Sequence, residues 1–193
     1  MKDLKDLFEV RWHGRGGQGA KTAAQFLAEA ALEAGKNIQA FPEYGPERAG
    51  APIRSYTRIS DNPINIHSSV TNPEVVVVID PTLLDVVDVT EGLDDDGVLV
   101  VNSPQGPDEI RKKTGYKKGK VGTCDATKIS LEILGIPMPN TPMLGGLLKA
   151  KAIVEVDAVI EQVRKKFMKK IGREKTEANI KAINRAYNEI KIG

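Results

Sequence analysis

EVVVVID (residues 74–80) is an unbroken run of β-branched side chains closed by an acid. A strand with one wet face alternates polar and apolar residues, so a run without alternation predicts a strand covered on both faces. GVLVVNS (97–103) repeats the pattern, and PTLLDVVDVTEGL (81–93) between them fits a short helix and a turn. Strand, helix and strand in that order predict an α/β fold of three layers, with a parallel or mixed sheet and helices on both faces.

Upstream, FEVRWHG (8–14) sets Phe8, Val10 and Trp12 against Glu9, Arg11 and His13, the alternation of a half-buried strand. Ala20, Ala23, Ala24, Leu27, Ala31 and Ala34 then recur at helical spacing, a narrow stripe of small residues that lets a helix lie close to a sheet. Gly35 stops that helix, and NIQAF (37–41) and APIRSYTRIS (51–60) read as further strands. Downstream, DATKISLEILG (125–135) reads as a helix capped by Asp125 and ended by Gly135. IPMPNTPM (136–143) carries prolines at 137, 139 and 142 and reads as a loop. From about residue 144 the chain reads as a helical C-terminal region broken near Gly172, with Asn140 or Thr141 as a cap and Gly145 and Gly146 for close packing. One domain spanning residues 1–193 is expected.

Composition narrows the chemistry. The 193 residues are 40% hydrophobic and 28% charged, with a net charge of only +2, which gives no footprint for nucleic acid. The longest apolar run is far too short to span a bilayer, and the N-terminus lacks the apolar core of a secretory signal, so a soluble, cytoplasmic protein is expected. A single cysteine, Cys124, cannot hold an iron–sulfur cluster, which takes about four. With His13 and His67 the only histidines, no zinc site is expected either.

HGRGGQGA (13–20) places four glycines in six positions between a predicted strand and a predicted helix. Gly14, Gly16 and Gly19 fit G-x-G-x-x-G, while Arg15, Gly17 and Gln18 complete the loop. Glycines leave no Cβ in a ligand's path and expose amides at a helix start, where anions are favoured. Three readings stand: an NAD-type site, another phosphate-bearing or anionic partner, or close helix–sheet packing. Against the first, the following strand ends in NIQAFPE, whose one acid, Glu43, follows a proline. FPEYGPERAGAP (41–52) reads either as a rigid connector or as a stiff surface that offers Glu43, Tyr44, Glu47 and Arg48 to a partner. Asp80 reads as the cap of the next helix, Cys124 as a buried thiol, and His67 as a surface or interface histidine.

RWHGRGGQGAKTAAQFLAEAA, QAFPEYGPERAGAPIRSYTRIS, VVVVIDPTLL and NTPMLGGLLKA, in that order, resemble the gamma subunits of 2-oxoacid:ferredoxin oxidoreductases, and the pyruvate branch most. The resemblance runs from about Phe8 to the C-terminal helices. It implies a part in the reversible oxidative decarboxylation of pyruvate with coenzyme A to acetyl-CoA and CO2, with electrons passing to ferredoxin in anaerobic metabolism. It implies alpha, beta and delta companion subunits that hold thiamine diphosphate, Mg and [4Fe-4S] clusters, and a chain without catalytic residues that is silent alone. Coenzyme A would then approach the loop Gly14–Gly19, with Arg15 near its phosphates, while Asn140, Thr141 and Met143 join Glu43, Tyr44, Glu47 and Arg48 at subunit contacts. Relatives acting on 2-oxoisovalerate, 2-oxoglutarate or indolepyruvate remain open, as does an autonomous NAD-dependent reductase.

Overall fold

The computed structural model describes residues 7–43 and 50–193. In chain order the elements are β1 (Leu7–Arg15), α1 (Ala20–Glu33), β2 (Asn37–Glu43), β3 (Pro52–Ser60), β4 (Val75–Val78), a 3-10 turn (Pro81–Asp85), β5 (Val98–Asn102), α2 (Pro107–Thr114), β6 (Lys120–Cys124), α3 (Ala126–Leu134), α4 (Asn140–Ala150), α5 (Val156–Ile171), α6 (Arg173–Glu189) and β7 (Lys191–Ile192). The strands form one mixed sheet in the order β2-β3-β1-β4-β5-β6-β7. The centre β1-β4-β5-β6 is parallel, and β3 runs antiparallel to both β1 and β2. The expected three-layer α/β architecture is therefore present.

The two valine runs are the middle of the sheet, and their pleat sends alternate residues into two separate cores. Val75, Val77, Val98 and Val100 face α1, α4, α5 and α6, while Val76, Val78, Leu99 and Val101 pack with Ile110 and Tyr116 on the α2 side. Both faces are covered, which is why those runs need no polar alternation. The stripe of α1 is buried from Ala20 to Ala31, while Ala34, its last expected member, lies exposed at the C-cap, and Gly145 brings α4 onto α6 so closely that an added Cβ would lie 2.0 Å from the Ile183 carbonyl oxygen.

Three expectations are corrected. β1 is not half-exposed: Glu9, Arg11 and His13 are buried along with the apolar face. They tolerate burial because each is partnered. Glu9 accepts from Arg58 Nε at 2.7 Å, and Arg11 donates to His13 Nε2 at 3.1 Å and to the carbonyls of Val89 and Glu91. Second, α4 begins at Asn140, inside the stretch read as a loop. Pro142 sits in its first turn, where a missing N–H costs nothing because that amide has no intrahelical partner. The helical region is also interrupted over residues 151–155. Third, neither Asn140 nor Thr141 caps α4 with its side chain. The short β6 and β7 complete the sheet's far half, with Gly122 of β6 packed under Ile190.

Candidate functional site

The glycine loop stands at the C-terminal end of β1, beside the end of β4, where an open α/β sheet gathers its ligands. Gly14 and Arg15 still pair with Ile53 and Pro52 of β3, so only Gly16 to Gly19 leave the sheet. The turn is fixed from both directions: Gln18 N–H donates to the Arg15 carbonyl at 3.1 Å, and Arg15 N–H donates to Gln18 Oε1 at 2.8 Å. Gly17 has φ 92° and Gly19 φ 78°, left-handed values that other residues adopt only with strain. A Cβ at Gly17 would meet none of the described residues within 4 Å, so among them that backbone is open to an approaching group. At Gly19 a Cβ would strike Asn140 at 2.5 Å, so the loop's last glycine is demanded by α4 rather than by a ligand.

The side chains of the loop converge on Asp80. Gln18 Nε2 donates to Asp80 Oδ2 at 2.6 Å, and the Arg15 guanidinium lies 3.2 Å from the same oxygen. Arg15 also donates to Thr82 Oγ1 at 2.8 Å and to the Gly50 carbonyl at 3.0 Å. The other carboxylate oxygen of Asp80 accepts from the Thr82 amide at 2.9 Å, the cap read from the Asp-Pro corner. Burial pushes the Asp80 carboxyl up, but the Thr82 and Gln18 hydrogen bonds and the Arg15 charge outweigh it and hold it below the usual carboxylate range. The Arg15 charge is thus already matched by an ionised acid. What the loop offers an anion is chiefly backbone. One strand further, Asn102 donates to the Ile79 carbonyl and to Thr127 Oγ1, both at 2.8 Å, and fixes the ends of β4 and β5 against α3. Thr82, Gly50 and Asn102 were missed from the sequence; the signal available was that β4 and β5 end in Asp80 and Asn102, polar residues at carboxyl ends of parallel strands.

The remaining expected residues divide into three groups. Glu43 is half-buried at the end of β2, where its carboxylate accepts from the Tyr56 and Ser69 hydroxyls. Tyr44, Glu47 and Arg48 lie outside the described residues. Asn140, Thr141 and Met143 are turned inward: Asn140 reaches the Gly19 carbonyl at 3.4 Å, Thr141 donates to Asn179 Oδ1 at 2.8 Å, and Met143 is fully buried against Cys124. Of the three, Asn140 supports the glycine loop from behind.

Neither histidine nor the cysteine stands at this loop as an acid, base or nucleophile. His13, on the polar face of β1, is lowered to about 3, first by burial and then by the Arg11 and Arg54 charges, so it is neutral at physiological pH. Burial pushes the Cys124 thiol up to about 12, which leaves it without nucleophilic character. His67 is exposed. Among the described residues no three metal-ligating side chains converge, and none of the helices is long and apolar enough to cross a membrane. Among the described residues, the polar side chains that meet at the loop are Arg15, Gln18, Asp80 and Thr82. The dinucleotide reading fails on topology, because β3 lies between β1 and β2, so Glu43 cannot reach a ribose held at the β1 loop, and its carboxylate is already engaged.

Residues 9–189 match the family model described as pyruvate ferredoxin/flavodoxin oxidoreductase. The chain is 52% identical to pyruvate synthase subunit PorC of Thermotoga maritima, over 99% of this chain and 98% of that protein. It is 48% identical to the pyruvate/ketoisovalerate oxidoreductases common subunit gamma of Thermococcus kodakarensis, over 96% and 98%. The crystal structure of pyruvate oxidoreductase subunit PORC from Thermotoga maritima superposes with a TM-score of 0.87 at 49% identity, covering 98% of this chain and 99% of that one. A 2-oxoglutarate:ferredoxin oxidoreductase from Magnetococcus marinus shares the fold at 20% identity and a TM-score of 0.78; this chain matches 31% of its length.

Proposed function

Because the chain belongs to the pyruvate ferredoxin/flavodoxin oxidoreductase family, we propose that it is the gamma subunit of a pyruvate:ferredoxin oxidoreductase and works only in the assembled enzyme. That enzyme oxidatively decarboxylates pyruvate with coenzyme A to acetyl-CoA and CO2 and passes the electrons to ferredoxin. The observation that carries the reading is the end-to-end match to gamma-type subunits at 52% and 48% identity. The chemistry of this chain agrees with a supporting role. One cysteine cannot supply the roughly four thiolates of a [4Fe-4S] cluster, so that group does not fit here. No cluster of acids among the described residues suits the Mg of thiamine diphosphate. Both belong to companion chains, which the reading identifies as alpha, beta and delta subunits in the cytoplasm of the cell.

The Thermococcus relative is named as common to pyruvate and ketoisovalerate oxidoreductases, which supports the reading that the companions, not this chain, choose the 2-oxoacid. The part left to this chain is to complete the assembly and to present the loop Gly16–Gly19 to the phosphates of coenzyme A. Glu43, Tyr44, Glu47 and Arg48 meet a neighbouring subunit in this reading. Reconstitution tests it: companions without this chain lose coenzyme A-dependent pyruvate oxidation, and adding the chain restores it. Turnover of pyruvate by the isolated chain, or NADH binding with enhanced fluorescence, would overturn it. In the assembled enzyme, Asp80→Asn frees the Arg15 charge and tightens the apparent affinity for coenzyme A, whereas Arg15→Ala weakens it; no change in either variant removes the loop from the coenzyme A approach.

A further inference from the structure

Against Gly19, the last residue of the glycine loop, lies a cavity of about 580 Å³, bounded by the starts of α1 and α6, the ends of α3 and α5 and the segment that leads into α4. We infer that this cavity is a binding site for a small amphipathic anion, an apolar chain or ring of carboxylate, sulfonate or phosphate type. The inference does not depend on the gamma-subunit reading, and its failure would leave that reading standing.

The volume is in the range of small-molecule sites, about 300–1,000 Å³. Its wall is apolar: Ile133, Leu134, Ile136, Met138, Phe167 and Ile171 line it, and Ile136 remains 53% exposed. An apolar side chain left in water costs free energy that an apolar occupant recovers. One end of the cavity has the opposite character. Lys170 and Lys175 stand there, and neither forms an ion pair with a described residue, unlike Lys165 and Lys166 of α5, which reach Glu33 and Glu29. Glu174 is the one acid in the lining. The starts of α1, α4 and α6 contribute Gly19 and Thr22, Asn140, and Lys175 to the lining, and the ends of α3 and α5 contribute Ile133, Leu134, Lys170 and Ile171, so the helix dipoles largely offset and the lysines carry the charge. A neutral apolar molecule would satisfy the wall and waste the lysines; inorganic phosphate would satisfy the lysines and leave the wall wet. Only a molecule with both parts matches both. A peptide segment would need an acidic residue held at one fixed place on an apolar stretch, a narrower requirement in a concave cavity of this size.

The test uses the full chain with 8-anilinonaphthalene-1-sulfonate as probe, followed by fluorescence, and decanoate, decanol and inorganic phosphate as competitors. The expected result is saturable enhancement, displacement by decanoate at least about tenfold more readily than by decanol, and none by phosphate. Lys170→Glu with Lys175→Glu weakens probe binding at least about tenfold, while Ala178→Phe, which fills the cavity without touching charge, abolishes it. Circular dichroism shows both variants folded; should one unfold, Lys170→Gln with Lys175→Gln replaces it and carries a smaller loss in the same direction. Equal displacement by decanol and decanoate, or undiminished probe binding in the folded variants, overturns the inference. So does a site open in the free chain but closed to the probe once the companion subunits assemble, which would assign the cavity to a partner's segment.

Discussion

Removing Arg58 tests the buried polar row of β1 and β3 most directly. Its guanidinium, 2% exposed, donates to Glu9 Oε1 at 2.7 Å, to Gln39 Oε1 at 3.2 Å, and to the carbonyls of Ile66 and Ser68 at 3.2 and 2.8 Å. It also stacks over Phe41 at 5.3 Å from the ring centre. Arg58→Met keeps the stem and deletes the charge, which leaves the Glu9 carboxylate, 8% exposed, without its cation. Breaking one partner of a buried pair costs about 3–5 kcal/mol, because the remaining ion is stranded away from water. For a chain of this length, about 4 kcal/mol lowers Tm by roughly 8–16 °C at 2–4 °C per kcal/mol. Replacing both ions at once, Glu9→Gln with Arg58→Met, removes the stranded charge and recovers at least about half of that loss. Denaturant titration of wild type, both single variants and the double variant measures the coupling. The segment from residue 61 to 69, held over the sheet by two of the lost bonds, should also become open to limited proteolysis in Arg58→Met. Additive losses, or a single variant within about 1 kcal/mol of wild type, would show that the pair is hydrated and the reasoning mistaken.

Three further outcomes follow from the geometry. Gly145→Ala and Gly146→Ala both gain about 1 kcal/mol of helix propensity, but at 145 the new Cβ meets the Ile183 backbone at 2.0 Å, whereas at 146 it meets Cys124 Sγ at 3.3 Å. Gly145→Ala is therefore less stable than Gly146→Ala by at least about 2 kcal/mol in chemical denaturation, and equal stabilities would refute the close crossing. His13, lowered from 6.5 to about 3 in the folded chain, is neutral while the unfolded chain takes up a proton, so stability is full above pH 6.5 and falls as the pH drops from 6.5 towards 3. The slope is at most about 1.4 kcal/mol per pH unit, and His13→Gln, which keeps an acceptor for Arg11, should flatten the stability–pH curve in that window. Thr123 Oγ1 and Ser55 Oγ are buried without a hydrogen-bond partner, so Thr123→Val and Ser55→Ala should raise Tm by removing a desolvated hydroxyl; a fall in Tm would reveal an internal water at that position.

The local code of this sequence determined a good deal. Runs of valine without polar alternation placed β4 and β5 at the centre of the sheet, and the alanine stripe placed α1 hard against it, since small side chains admit close approach. Asp80, Asp125, Gly35, Gly135 and Gly172 punctuate the elements where expected, because caps and left-handed glycines act within one turn of the backbone. The count of cysteines excluded an iron–sulfur site without any coordinates. Long-range pairing decided what remained. FEVRWHG alternates as a half-wet strand does, and only β3 and the segments over it bury the second face, by bringing Arg58 to Glu9 across 49 residues and the Val89 and Glu91 carbonyls to Arg11 across 78 and 80. The order β2-β3-β1, which separates Glu43 from the glycine loop, is likewise invisible in a motif. So is the neutralisation of Arg15 by Asp80, 65 residues away in the chain and 3.2 Å away in space. Periodicity reports whether a side chain has company, and hydrogen bonds between distant segments decide what that company is.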